Sequence, residues 1–329
     1  MKTRILIACF SLCICFGPIS ALSQTFSFQF LAPHPEQNRW RSLLKTSSEI
    51  PLWAVRDAKP AKGHYPVLIY APSDSSVSWE NADLCEYLAG HGYVVLASPS
   101  MGVSTRDMTD DLDGINAQAR DISFLITYAK SLPDTDLSEV AVVSWSWGGI
   151  SSLFAAARDP RIDALVSMDG SMRYYPGLVK MAGDVHPERM TIPLLFFTRG
   201  DLSLEALAKD DAPAVDKVGP NVLNAWIHGD LVTVNMLGMA HAEFSSMFQR
   251  RESAQRFAEN QIADYGRDDA NTSYAWVALY TLNFVNAYLK HDTSAKAFLE
   301  RTPAENGVPK HFMGIRLRPA QNVSTPKAR

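Results

Sequence analysis

The run Val142-Val143-Ser144-Trp145-Ser146-Trp147-Gly148-Gly149 sets one serine between two small residues, directly after a β-branched stretch. A serine hydroxyl is a weak nucleophile until a neighbouring base activates it. A strand that turns sharply into a helix at small-x-Ser-x-small exposes the serine for that purpose. Ser144 and Gly148, two before and two after, let the strand and the helix nearly touch. Serine stands at 144 where glycine is usual, and it is small enough for the contact. Ser146 is therefore the expected nucleophile, and the chemistry is acyl transfer. Trp147 opens the helix, so its backbone N–H is an expected oxyanion donor.

The nucleophile needs a base, and histidine titrates in the right range. Beyond the elbow, His186 and His228 sit in polar connecting segments and His291 ends a helix. His241 lies in Gly238-Met239-Ala240-His241-Ala242-Glu243-Phe244, a loop just after an apolar strand, and is the expected base. A carboxylate should orient its ring. Asp169 follows Ser167-Met168, and Asp201 follows Phe197-Thr198-Arg199-Gly200. Both end strands, both keep the chain order Ser, acid, His, and the residues alone leave the choice open.

A second oxyanion donor is expected from Pro72-Ser73-Asp74-Ser75-Ser76. Pro72 has no N–H, which leaves the backbone of Ser73 or Asp74. An aspartate side chain there would repel the oxyanion unless it points away. Trp79, Tyr174 and Tyr175 are candidate substrate-pocket aromatics, whereas Trp145 reads as core.

These residues require a sheet to position them. Short β-rich runs alternate with helical patterns, the signature of a mostly parallel sheet covered on both faces. Strands are expected at Ile50–Val55, Pro66–Ala71, Tyr93–Ser98, Val140–Val143, Ala164–Met168 and Pro193–Phe197, with Leu231–Met236 the last. Helices are expected at Trp79–Ala89, Asp111–Leu132, Gly149–Arg158 and Ser273–Leu289. Ser171 to Thr191 is short for a lid, which predicts an open site, and the tail after Arg316 is polar.

The strand at Tyr65–Tyr70, the elbow, Met168-Asp169-Gly170, Pro193–Phe197 and His241-Ala242-Glu243-Phe244 together resemble the α/β-hydrolase superfamily. Within it they are similar to dienelactone-hydrolase-like and secreted platelet-activating-factor acetylhydrolase-like esterases. The resemblance spans roughly Ile50 to Leu289. It implies an α/β-hydrolase fold and a serine esterase acting on a small-molecule ester. Acetylhydrolase-like members carry the acid after the strand that follows the elbow, which implies Asp169. Dienelactone-hydrolase-like members carry it one strand later, which implies Asp201. The Asp-Gly setting directly off an apolar strand favours Asp169.

Net charge is −4, with 47% hydrophobic and 20% charged residues, so a sizeable core is expected and no basic face for nucleic acid. Lys2 and Arg4 precede an apolar run from Ile5 to Leu22 broken by Gly17-Pro18. Residues 1–23 therefore read as a signal peptide, cleaved near Ser23–Gln24, and 24–329 as one domain with a loose tail from about 317. Secretion or a periplasmic location follows, without stable membrane insertion after cleavage. Cys9, Cys13 and Cys15 fall in that leader, and Cys85 reads as a buried structural thiol. No clustered Cys/His set and no G-x-G-x-x-G calls for a metal or an organic cofactor. Rival readings are a lactone hydrolase, a peptidase, or a non-catalytic binding protein on the same fold.

Overall fold

The computed structural model describes residues 7–9, 54–55, 57–58, 61–104, 107–200, 221–249 and 265–321. Eight strands are found among them: β1 (Ile7–Cys9), β2 (Tyr65–Ala71), β3 (Val94–Ala97), β4 (Thr135–Trp145), β5 (Ala164–Met168), β6 (Leu194–Arg199), β7 (Leu231–Met236) and β8 (Met313–Arg318). They form one sheet in the order β1-β3-β2-β4-β5-β6-β7-β8. All neighbours are parallel except β7 and β8. The helices are α1 (Ala82–Gly90), α2 (Leu112–Ala129), α3 (Trp147–Arg158), α4 (Pro176–Ala182), α5 (Val222–Ala225), α6 (Ser246–Gln249), α7 (Arg267–Tyr288) and α8 (Thr293–Glu300).

The period of two along each strand sends alternate side chains into two cores. Leu68, Tyr70, Val143 and Trp145 pack on one face with Leu84 of α1 and Val277 and Phe284 of α7. Val67, Ile69 and Val142 pack on the other with Ile115 and Ile122 of α2 and Leu153 of α3. This two-sided burial explains why β2 and β5 read as continuous apolar runs rather than alternating ones. Asp111 ends the approach to α2 by accepting from the N–H groups of Asp113 and Gly114, so that helix starts at Leu112.

One expectation is corrected. Leu231–Met236 is not the last strand, because Met313–Arg318 pairs antiparallel with it. That strand covers a sheet edge, and only Met313 of its six residues is buried, so it does not stand out as a buried apolar run. Glu300 closes a further helix, α8, capped by Asp292. Ile50 to Trp53 of the expected first strand lie outside the described residues. Strand β1 falls within the segment read as a leader and pairs with β3, so removal of residues 1–23 would leave Val94–Ala97 as the sheet edge.

The register sets up the site. Trp145 pairs with Met168 across β4 and β5, and Met168 with Phe197 across β5 and β6. The residues one step further, Ser146 and Asp169, therefore emerge side by side at the carboxyl edge of the sheet. That edge is where open parallel sheets form their crevices.

Candidate active site

Ser146 sits at φ 53° and ψ −123°, a conformation that L-residues rarely adopt. The turn survives because its surroundings determine it. The Ser146 N–H donates to the Met168 carbonyl at 3.1 Å, and its own carbonyl accepts from Gly149 and Ser171 at 2.9 and 2.8 Å. Gly148 is required at the crossing, where a Cβ would lie 2.2 Å from the Ala71 carbonyl oxygen and 2.5 Å from that of Pro72. The same closeness brings the loop after β2 up to the elbow. Ser144 is fully buried, and its hydroxyl donates to the Val166 carbonyl at 3.0 Å. It is a structural residue beneath the turn.

The loop after β7 carries His241 back over the end of β6. The Gly200 N–H donates to the Met239 carbonyl at 2.9 Å, and a Cβ at Gly200 would meet the Leu237 carbonyl oxygen at 2.3 Å. Ser146 Oγ lies 2.9 Å from His241 Nε2. His241 Nδ1 lies 2.5 Å from Asp169 Oδ2. The carboxylate holds the proton on Nδ1 and leaves the Nε2 lone pair for the serine hydroxyl. Asp169 is fully buried and has a positive φ of 42°. Burial pushes its pKa up, but His241, the Tyr174 hydroxyl and the nearby charge of Arg199 outweigh burial and hold it below the usual range. Asp169 is thus ready to orient an imidazole as an anion. Asp201 lies outside the described residues. His186 and His291 pair with Glu188 and Glu139, each at 3.2 Å.

Trp145 has a second task beyond core packing. Its Nε1–H donates to the His241 carbonyl at 3.1 Å, and the two rings lie 5.2 Å apart. The clue in the sequence was that a buried indole N–H needs an acceptor. Tyr174 is reassigned as well: its hydroxyl donates to Asp169 Oδ1 and is thereby committed to the site's own acid. Tyr175 meets Trp147 edge-on at 5.1 Å. Trp79 is half-buried against the core that contains α7.

The expectation that the Ser73 amide serves the oxyanion is corrected, because it donates to Glu80 Oε2 at 3.0 Å. The Ser73 hydroxyl donates to Glu80 Oε1, and the Tyr70 hydroxyl to Oε2 at 3.0 Å. Glu80 and Asn81 are fully buried. Asn81 accepts from the Ser246 N–H at 2.8 Å and from the Tyr274 hydroxyl at 2.6 Å, and donates to the Phe244 carbonyl at 2.9 Å. Two adjacent polar residues thus tie the loop after β2 to the loop that bears His241. Sequence reasoning missed them because they sat inside an expected helix, beside Ser78 and Asp83, where polar residues read as a solvated face. Asp74 remains as the amide candidate. Its carboxyl is pushed up to about 6 by burial and by Asp110 and Asp107, with Ser75 pulling it back.

The fold is that of the α/β-hydrolases. A ferulic acid esterase from Streptomyces cinnamoneus superposes with a TM-score of 0.56 over 80% of this chain and 76% of that one, at 18% identity. No family model matches the sequence, and no curated protein does. No helix among the described residues is long and apolar enough to cross a membrane.

Proposed function

We propose that this chain is a serine hydrolase that cleaves carboxylic esters through an acyl-enzyme on Ser146. The observation that carries the reading is the continuous line Ser146 Oγ, His241 Nε2, His241 Nδ1, Asp169 Oδ2, with steps of 2.9 and 2.5 Å. His241 takes the hydroxyl proton as Ser146 attacks the ester carbonyl. Asp169 stabilises the imidazolium that forms. The imidazolium then protonates the leaving alcohol, and water, deprotonated by the same ring, releases the acid. The Trp147 amide, at the free N-terminus of α3, and the Asp74 amide hold the oxyanion. A fold shared with a ferulic acid esterase supports the choice of an ester as substrate. The chain acts as one catalytic domain from residue 24, after export and loss of residues 1–23.

The deciding experiment is labelling with a fluorophosphonate probe. Wild-type protein is expected to label covalently, and Ser146→Ala is expected not to. Equal labelling of both, or none of the wild type, overturns the reading.

A further inference from the structure

The triad acid has two oxygens, and only one faces the histidine. A carboxylate offers about four acceptor sites. Asp169 is fully buried, so bulk water does not reach its second oxygen. Tyr174 supplies the donor there: its hydroxyl bonds to Oδ1 while His241 Nδ1 bonds to Oδ2. The direction of the Tyr174 bond is set. Burial, together with the adjacent Asp169, drives the phenol pKa far up, so the group stays protonated and donates. Tyr174 is itself anchored. Its N–H donates to the Ser171 carbonyl at 2.9 Å, and the Ser171 N–H donates to the Ser146 carbonyl at 2.8 Å. The Arg173 guanidinium lies 5.5 Å from the Tyr174 ring centre.

We infer that Tyr174 is a positioning residue, which pins Asp169 by Oδ1 so that Oδ2 alone faces His241. This rests on the hydrolase reading of Ser146 and His241. The bond does two things. It stops the carboxylate rotating about its own axis, which would carry the imidazole with it. It also draws negative charge toward Oδ1, and so moderates how strongly Asp169 stabilises the imidazolium. The other charged groups near Asp169 are Arg199, at the end of β6, and Arg173 beside the tyrosine ring. Neither is altered by changing Tyr174 to phenylalanine.

Tyr174→Phe removes the hydroxyl and keeps the ring. kcat/KM on p-nitrophenyl acetate is expected to fall about ten-fold, as for the loss of a hydrogen bond to a charged group. The acid limb of its pH profile is expected to move to higher pH, because the bare carboxylate stabilises the imidazolium more. 3-Fluorotyrosine at position 174 preserves the fold and gives a more acidic phenol, and it should move the same limb to lower pH. The low-field proton resonance of His241 Nδ1–H, followed in histidine-labelled protein, should shift between wild type and Tyr174→Phe. An unmoved acid limb and an unmoved resonance overturn the inference, whatever the rate does, since a merely structural tyrosine would lower the rate without moving either. If the wild type fails to label with fluorophosphonate, the hydrolase reading falls. The resonance still tests the Tyr174–Asp169 link on its own.

Discussion

Glu80 Oε2 accepts the backbone N–H of Ser73 at 3.0 Å, and the Glu80 side chain is fully buried. Burial raises the pKa of this carboxyl, and hydrogen bonds from Ser73, Ser76 and Tyr70 pull it back. The residue therefore gathers donors from Tyr70 and from the loop after β2 on one carboxylate. Glu80→Ala leaves the Ser73 amide and the Tyr70 hydroxyl facing a cavity. Each lost partner costs about 1–3 kcal/mol. Urea unfolding should register a loss on the order of 3 kcal/mol or more, and Glu80→Gln a smaller one. Equal stability of Glu80→Ala and wild type would show that the loop after β2 does not depend on this residue.

The acid is decided by comparing two amides. Asp169→Asn presents a neutral group to His241 Nδ1 and favours the wrong tautomer. Such a change costs about 10⁴-fold in kcat where it has been measured in serine proteases. We expect a loss on the order of 10³-fold or more on p-nitrophenyl acetate for Asp169→Asn, and near-wild-type turnover for Asp201→Asn. Loss confined to Asp201→Asn would move the acid one strand along. The same assay separates Trp145→Phe, which gives up the bond to the His241 carbonyl and should lower kcat by about ten-fold.

The parallel sheet was legible because its strands are buried on both faces and stand out as apolar runs. β8 was not, because Ile315 and Leu317 alternate with Gly314, Arg316 and Arg318 at an edge. Ser146 was legible from local spacing, since the close crossing at Gly148 demands small residues there. Asp169 was favoured over Asp201 by its Asp-Gly setting off an apolar strand, but the residues alone left the choice open, and the register Trp145–Met168 is what places it beside Ser146. The partners of Glu80, Asn81, Trp145 and Tyr174 were illegible because each is brought near only by the fold. Asn81 and Phe244, for example, are 163 residues apart in the chain.

Ser144 and Gly148 separate the structure of the elbow from its chemistry. Ser144→Ala gives up the bond to the Val166 carbonyl, and should cost about 1 kcal/mol while leaving fluorophosphonate labelling intact. Gly148→Ala forces a methyl group to 2.2 Å from a backbone oxygen, which no flexible side chain can relieve. Loss of both labelling and thermal stability is expected. A well-folded, fully labelled Gly148→Ala would mean that the strand and helix can part without harm.

Asp74 makes the stability of the protein depend on pH in a particular direction. Its carboxyl titrates at about 6 in the folded chain, raised by burial and by Asp110 and Asp107, against about 4 in an unfolded chain. The unfolded state therefore releases this proton first as pH rises. The contribution of the protonated group is complete below about pH 4, declines between about pH 4 and 6, and is absent above that. Asp74→Asn removes the ionisation and keeps the shape. Its melting temperature should exceed that of the wild type at pH 7.5, and the difference should vanish near pH 4. A gain that persists unchanged at pH 4 would assign the effect to packing, and would leave the Asp74 charge without a part in it.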